Sequence, residues 1–174
     1  LAIDSGRGQV PIRASVPGGP VIQESTGERA AARTFQDLLT DSHDQDLFEY
    51  YLASEVRLVG VESRERTIGL PALYVDAELS PDGRLLLLQS LHRPFSYLVP
   101  YYRFPRRVRV VDLEGLLVAE LADLPLFDAV PIGRGAVATG PRSYAWRADQ
   151  AATLSWVEAR DGGDPRREAE VRDE

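Results

Sequence analysis

Between Asp82 and Asp112 the chain carries no acidic residue, yet Arg84, Arg93, Arg103, Arg106, Arg107 and Arg109 fall there. Phe95, Tyr97, Tyr101, Tyr102 and Phe104 are interleaved with them. The stretch from Asp37 to Glu55 is the reverse, with six acids and no Lys or Arg. Positive charge gathered in one loop of an acidic chain is what a local anion site requires. Arginine suits a carboxylate because its planar fork can engage both oxygens. Arg93 and Arg103 are therefore the candidates to bind such a group, with Tyr97 and Tyr101 shaping the pocket. Two other readings stand beside this one. The arginines can pair with the acidic stretch or line a solvated strand, and Arg interleaved with aromatics also suits single-stranded nucleic acid. A net charge of −7 weighs against that last partner and against an anionic membrane.

Other chemistry is not written here. A serine hydrolase of the α/β kind needs a nucleophile in a G-x-S-x-G turn, and Gly140-Pro141-Arg142-Ser143-Tyr144 has the wrong spacing and no second glycine. Only His43 and His92 are available as a base. Ser42-His43-Asp44 has the letters of a catalytic triad, but three consecutive residues do not supply its geometry. Asp41, Asp44, Asp46 and Glu49 lack the order and the central glycine of a calcium loop, and read as a solvated acidic face. Gly6-Arg7-Gly8 and Gly133-Arg134-Gly135 are too short for phosphate loops. With no cysteine, thiolate chemistry is absent as well. The expectation is a chain with no catalytic residue, no metal and no cofactor of its own.

The 174 residues are 44% hydrophobic and 27% charged, as in an ordinary globular domain. No run of 18 or more apolar residues is present, so no membrane span is expected. The first residue is Leu and no Met occurs anywhere, which points to a piece of something longer. All 20 basic residues are Arg and Asn is absent, a bias that GC-rich coding explains.

The elements follow from periodicity. Residues 1–33 are rich in Gly and Pro and read as a loop or edge segment. In 34–54, Phe35, Leu38, Leu39, Leu47, Phe48, Tyr51 and Leu52 recur at helical spacing. A break around Thr40–Asp44 makes this a helical insert of two short helices, with Thr34 and Asp37 as a weak capping pair. From residue 55 the period becomes strand-like. Val56, Leu58 and Val61 begin a short β segment, with Thr67–Leu70 able to pair back. Four strands then follow at about 72–79, 84–91, 106–112 and 116–121. Ser80-Pro81-Asp82-Gly83 and Asp112-Leu113-Glu114-Gly115 are the tight turns between them. Leu85–Leu88 reads as a strand buried on both faces. Arg142–Trp146 and Thr153–Glu158 repeat the opening, with Trp146-Arg147-Ala148-Asp149 falling where Leu79-Ser80-Pro81-Asp82 fell. A four-stranded unit that restarts is the mark of a β-propeller blade. The fold class is thus all-β: a partial β-propeller of about two four-stranded antiparallel blades with a short helical insert. In that division 55–70 ends one blade, 72–121 is a full blade, and 142–160 starts the next. About two blades cannot close a propeller, which again points to a fragment.

Particular stretches carry a resemblance. Arg33-Thr34-Phe35-Gln36-Asp37-Leu38-Leu39 with Asp46-Leu47-Phe48-Glu49-Tyr50-Tyr51 is similar to the glutamyl endopeptidases, of the prolyl oligopeptidase family of serine peptidases. So are His92-Arg93-Pro94-Phe95-Ser96-Tyr97, Arg103-Phe104-Pro105, Trp146-Arg147-Ala148-Asp149 and Trp156-Val157-Glu158. The resemblance implies the central part of an N-terminal propeller that caps an α/β-hydrolase domain of the same chain, where a Ser-Asp-His triad cleaves peptides after Glu or Asp. It further implies a non-catalytic role here, restricting and guiding a peptide substrate, and gives the Arg93–Arg103 pocket an acidic side chain to bind. A non-enzymatic propeller used as a binding scaffold is the alternative.

Overall fold

The structure, a computed structural model, describes residues 2–3, 6, 8–14, 35–61, 65–128 and 134–174. Most of the expected 1–33 loop, together with Thr34, Pro131, Ile132 and Gly133, lies outside the described residues. The chain is mostly β. Strands β1 (Ala2–Ile3), β2 (Ser54–Val59), β3 (Glu65–Leu79), β4 (Leu85–Leu91), β5 (Arg106–Asp112) and β6 (Leu117–Leu124) form one sheet in sequential order. Strands β7 (Arg142–Trp146) and β8 (Leu154–Val157) form a second. Every pairing is antiparallel. One α-helix, α1 (Ser42–Leu52), precedes β2, and a 3-10 turn, η1 (Tyr101–Arg103), lies before β5.

Two expectations change in detail. The helical insert holds a single helix, because the stretch expected to break it is where it begins. Asp41 is the N-cap and accepts from the Asp44 amide at 3.0 Å, while Asp44 accepts in return from the Thr40 amide at 2.9 Å. These reciprocal bonds satisfy donors that a helix start leaves orphaned. The strand expected at 72–79 begins earlier, as one piece with the 67–70 segment. Residues 65–72 of β3 pair with β2, and residues 73–79 pair with β4. The change of partner falls at a register shift containing Gly69, Leu70 and Pro71, where Gly69 has φ +71°. Pro71 is tolerated there because a bulged residue owes the ladder no N–H.

Strands β4 and β5 lie at the centre, and each of their faces is covered. On one face Leu86, Leu88 and Val111 pack against Val56 and Ile68, so β2 and the first half of β3 fold over it. On the other, Leu87, Val108 and Val110 pack against Tyr144 and Trp146 of β7. Leu87 and Val108 are fully buried, worth about 1.5–3 kcal/mol each. Burial also pushes the Tyr144 phenol up to about 12. Trp146 Nε1 donates to the Glu78 carbonyl at 3.1 Å, clamping β7 to β3. The first face is closed at its far end by a backbone contact, where a Cβ on Gly115 (φ +84°) would meet Gly69 N at 2.7 Å.

The two turns expected to correspond close through similar backbone bonds, the second spanning one residue more. Ser80 N donates to Leu85 O at 2.8 Å and Gly83 N to Ser80 O at 2.8 Å. Their counterparts are Arg147 N to Thr153 O at 2.8 Å and Gln150 N to Arg147 O at 3.2 Å. The turns also touch, through Asp82 N and Ala151 O at 3.0 Å. Asp82 is held below the usual carboxylate range by the Ser80 hydroxyl.

Candidate carboxylate-binding surface

The loop from His92 to Pro105 joins β4 to β5 and carries most of the candidate residues. Its anchor is aromatic. Phe95 and Phe104 are buried and stacked at 5.1 Å between centroids, and Phe48 of α1 meets their rings edge-on at 5.2 and 5.7 Å. Leu73, Leu91 and Val99 complete the cluster, with Phe35 and Leu39 packed against it from the segment before the helix. This third core fixes the loop against α1, so the acid-rich and arginine-rich stretches face each other.

The arginines divide accordingly. Arg93 grips Glu49 with its fork, Nε to Oε1 at 3.0 Å and Nη2 to Oε2 at 2.8 Å. It also donates to Asp46 at 2.9 Å and to Gln45 at 2.7 Å. The Glu49 carboxylate raises its pKa above the ordinary value, and its guanidinium lies 5.3 Å from the Phe95 ring centre. Arg93 is committed to the helix. Arg107 and Arg109 form a ladder with the acids of β6: Arg107 Nη2 bonds Asp123 at 2.9 Å and Arg109 Nε bonds Glu120 at 2.8 Å. His92 joins it, with Nε2 2.7 Å from Asp123 Oδ1. Arg107 and then His92 hold the Asp123 carboxyl below its ordinary range.

Arg103 has no carboxylate partner among the described residues. Its guanidinium lies 5.6 Å from the Phe35 ring centre and donates to the Phe127 carbonyl at 3.4 Å. The Phe127 amide donates back to the Arg103 carbonyl at 2.9 Å, so the residue clasps the chain beyond β6. Tyr97 is half-buried and lines an open groove with Phe35, Asp37, Leu38, Leu39, Thr40 and Leu98. Tyr101 is exposed at the edge of a smaller recess of about 110 Å³ that shares Asp37, Leu38 and Leu39 with the groove. The structure thus sets Tyr97 and Tyr101 about one shared wall, and places Arg93 on the helix side with its fork filled.

Arg106, undistinguished in the sequence from its neighbours, differs from them in the fold. It is half-buried at the start of β5 and donates from Nη1 to the Gln89 Oε1 at 3.2 Å. Gln89 is buried and donates in turn to Asp76 at 3.0 Å. Burial lowers the Arg106 pKa, against the opposing pull of Asp76 and Tyr101. The signal that could have found this row is the hairpin about Pro81-Asp82, whose register sets Asp76 directly opposite Gln89.

Ser42, His43 and Asp44 are the first residues of α1, with the Asp44 carboxylate turned back on Thr40. Among the described residues no three His, Asp or Glu side chains gather where they could hold a metal ion. No helix among them is long and apolar enough to cross a membrane.

Over 172 residues, 98% of its length, the chain is 45% identical to a probable chloroplastic glutamyl endopeptidase of Oryza sativa subsp. japonica. It is 44% identical over the same length to one from Arabidopsis thaliana. The chain spans 18% of the length of each, so it corresponds to a segment of those peptidases. No family model matches the chain, and no solved structure matches it.

Proposed function

We propose that this chain is a non-catalytic segment of a glutamyl serine endopeptidase of the prolyl oligopeptidase family, serving as part of a β-propeller that restricts and guides peptide access to a hydrolase domain. The observation that carries the reading is the likeness itself, which runs through 98% of the chain to proteins named as glutamyl endopeptidases. The propeller reading is supported by the matched turns at Ser80 and Arg147, which lie side by side through Asp82 and Ala151. Stacked units that bury each other's faces, as β7 buries Leu87 and Val108, are how blades gain stability. In this reading the segment contributes wall and surface, while the nucleophile and its base come from elsewhere in the longer protein. The loop carrying Tyr97, Tyr101 and Arg103 is the part we assign to substrate contact, and Arg93 serves it by pinning the loop to α1.

The test uses the full-length protein that carries this segment. It should cleave a short peptide after Glu and a folded protein only slowly. Trp146→Phe keeps the ring but removes the clamp to Glu78, so it should speed cleavage of the folded protein and leave the short peptide unchanged. Absence of any cleavage after Glu overturns the peptidase reading. An unchanged ratio of the two rates overturns the gating role.

A further inference from the structure

Arg106 is a half-buried cation that no carboxylate among the described residues meets directly, the Asp76 charge reaching it only across Gln89. By strand alternation it shares a face with Val108, away from Arg107 and the acids of β6. Its hydrogen-bond partner is a neutral one, the Gln89 amide oxygen at 3.2 Å, and no carboxylate among the described residues reaches ion-pair distance. Gln89 cannot turn freely, because its oxygen faces Arg106 while its nitrogen donates to Asp76 at 3.0 Å. A guanidinium has five N–H groups in a fixed plane, so most of its donors remain available. Withdrawing such a charge from water is unfavourable until an anion meets it.

We infer that Arg106, held in orientation by Gln89, is a binding site for a carboxylate, and that in the working protein it takes the acidic side chain of the peptide. The planar, bidentate geometry of a carboxylate fits the free edge of a guanidinium in a way that an amide of the same shape does not. The inference rests on the peptidase reading only for the source of the carboxylate. The site itself would discriminate glutamate from glutamine wherever the ligand came from.

In the full-length protein, Arg106→Gln and Arg106→Lys are compared with the parent on two peptides that differ only in Glu or Gln at the recognised position. Arg106→Gln should lower kcat/KM for the Glu peptide by roughly 10- to 100-fold, the size of a lost charge-assisted pair, with the Gln peptide changed less than about twofold. Arg106→Lys keeps the charge without the fork and should fall between. In parallel, binding of N-acetyl-glutamate amide and N-acetyl-glutamine amide is followed by NMR titration. The parent should prefer the first, and Arg106→Gln should lose the preference. An equal fall on both peptides, or none, overturns the assignment. If the parent cleaves nothing, the peptidase reading fails and the titration decides alone: no preference for the glutamate probe overturns the carboxylate site too.

Discussion

The two faces of β4 and β5 are covered by different means. One is dry where it is covered. Leu86, Leu88 and Val111 meet Val56 and Ile68, and the backbones of Gly69 and Gly115 close it by direct approach. The other changes character along its length. It is apolar where Leu87, Val108 and Val110 meet Tyr144 and Trp146, polar where Gln89, Arg106 and Asp76 form their row, and apolar again where Leu73 and Leu91 join the aromatic cluster. The first face is closed where it is covered and serves stability. The second buries enough on either side to hold a charged group in place between. That contrast is why the same two strands can be both core and candidate site.

The comparison can be broken most severely at Leu87, which is fully buried on the graded face. Leu87→Ala should cost about 2–5 kcal/mol, as a cavity there cannot be filled by solvent. The loss is read from the urea midpoint, and loosening of β7 should shift the Trp146 fluorescence before global unfolding. Gly115→Ala strikes the dry face instead. The new Cβ would fall 2.7 Å from Gly69 N at a residue with φ +84°, so about 1–3 kcal/mol should be lost. Hydrogen exchange should then rise in β2 and the first half of β3 while Trp146 emission stays unchanged.

The smallest effect sharpens the comparison at the solvated rim of the dry face. Asp123 is depressed by Arg107 and then His92, so its folded pKa lies below its unfolded one. Such a group lends stability above the unfolded value near 4 and loses it as the pH falls through the folded value. Stability should therefore decline on acidification below about pH 4, and Asp123→Asn should flatten part of that decline. The neutral-pH difference should stay within about 1 kcal/mol, since the pair is solvent-exposed. An acid limb of the same slope in both proteins would remove Asp123 from the account.

Much of the sheet was legible because its strands obey simple periods. The continuous run at Leu85–Leu88 and the turns at Pro81-Asp82-Gly83 and Glu114-Gly115 leave few other readings. The insert misled because Phe35 and Leu39 have helical spacing yet pack from an irregular segment into the same aromatic cluster as Phe48. Spacing of three and four reports which residues are buried together, and a loop can satisfy it as well as a helix. The segregation of acids from arginines was also legible, and its outcome for Arg93 follows from it. What no local pattern could give was the sorting of the arginines. Arg93 meets Glu49 across 44 residues, and Arg106 stands apart only through the register of three strands.

Strand β3 is one length of chain and two pieces of architecture. Its halves face different neighbours across Gly69-Leu70-Pro71, and the upstream half roofs the core that the downstream half helps to build. In the proposed propeller, the repeating unit and the strand are therefore out of phase. A duplication or recombination event that copied residues 72–121 as a module would carry the meander away but leave its roof behind, with Leu86 and Leu88 open to water. Inheritance of this unit, in nature or by design, has to cut upstream of β2.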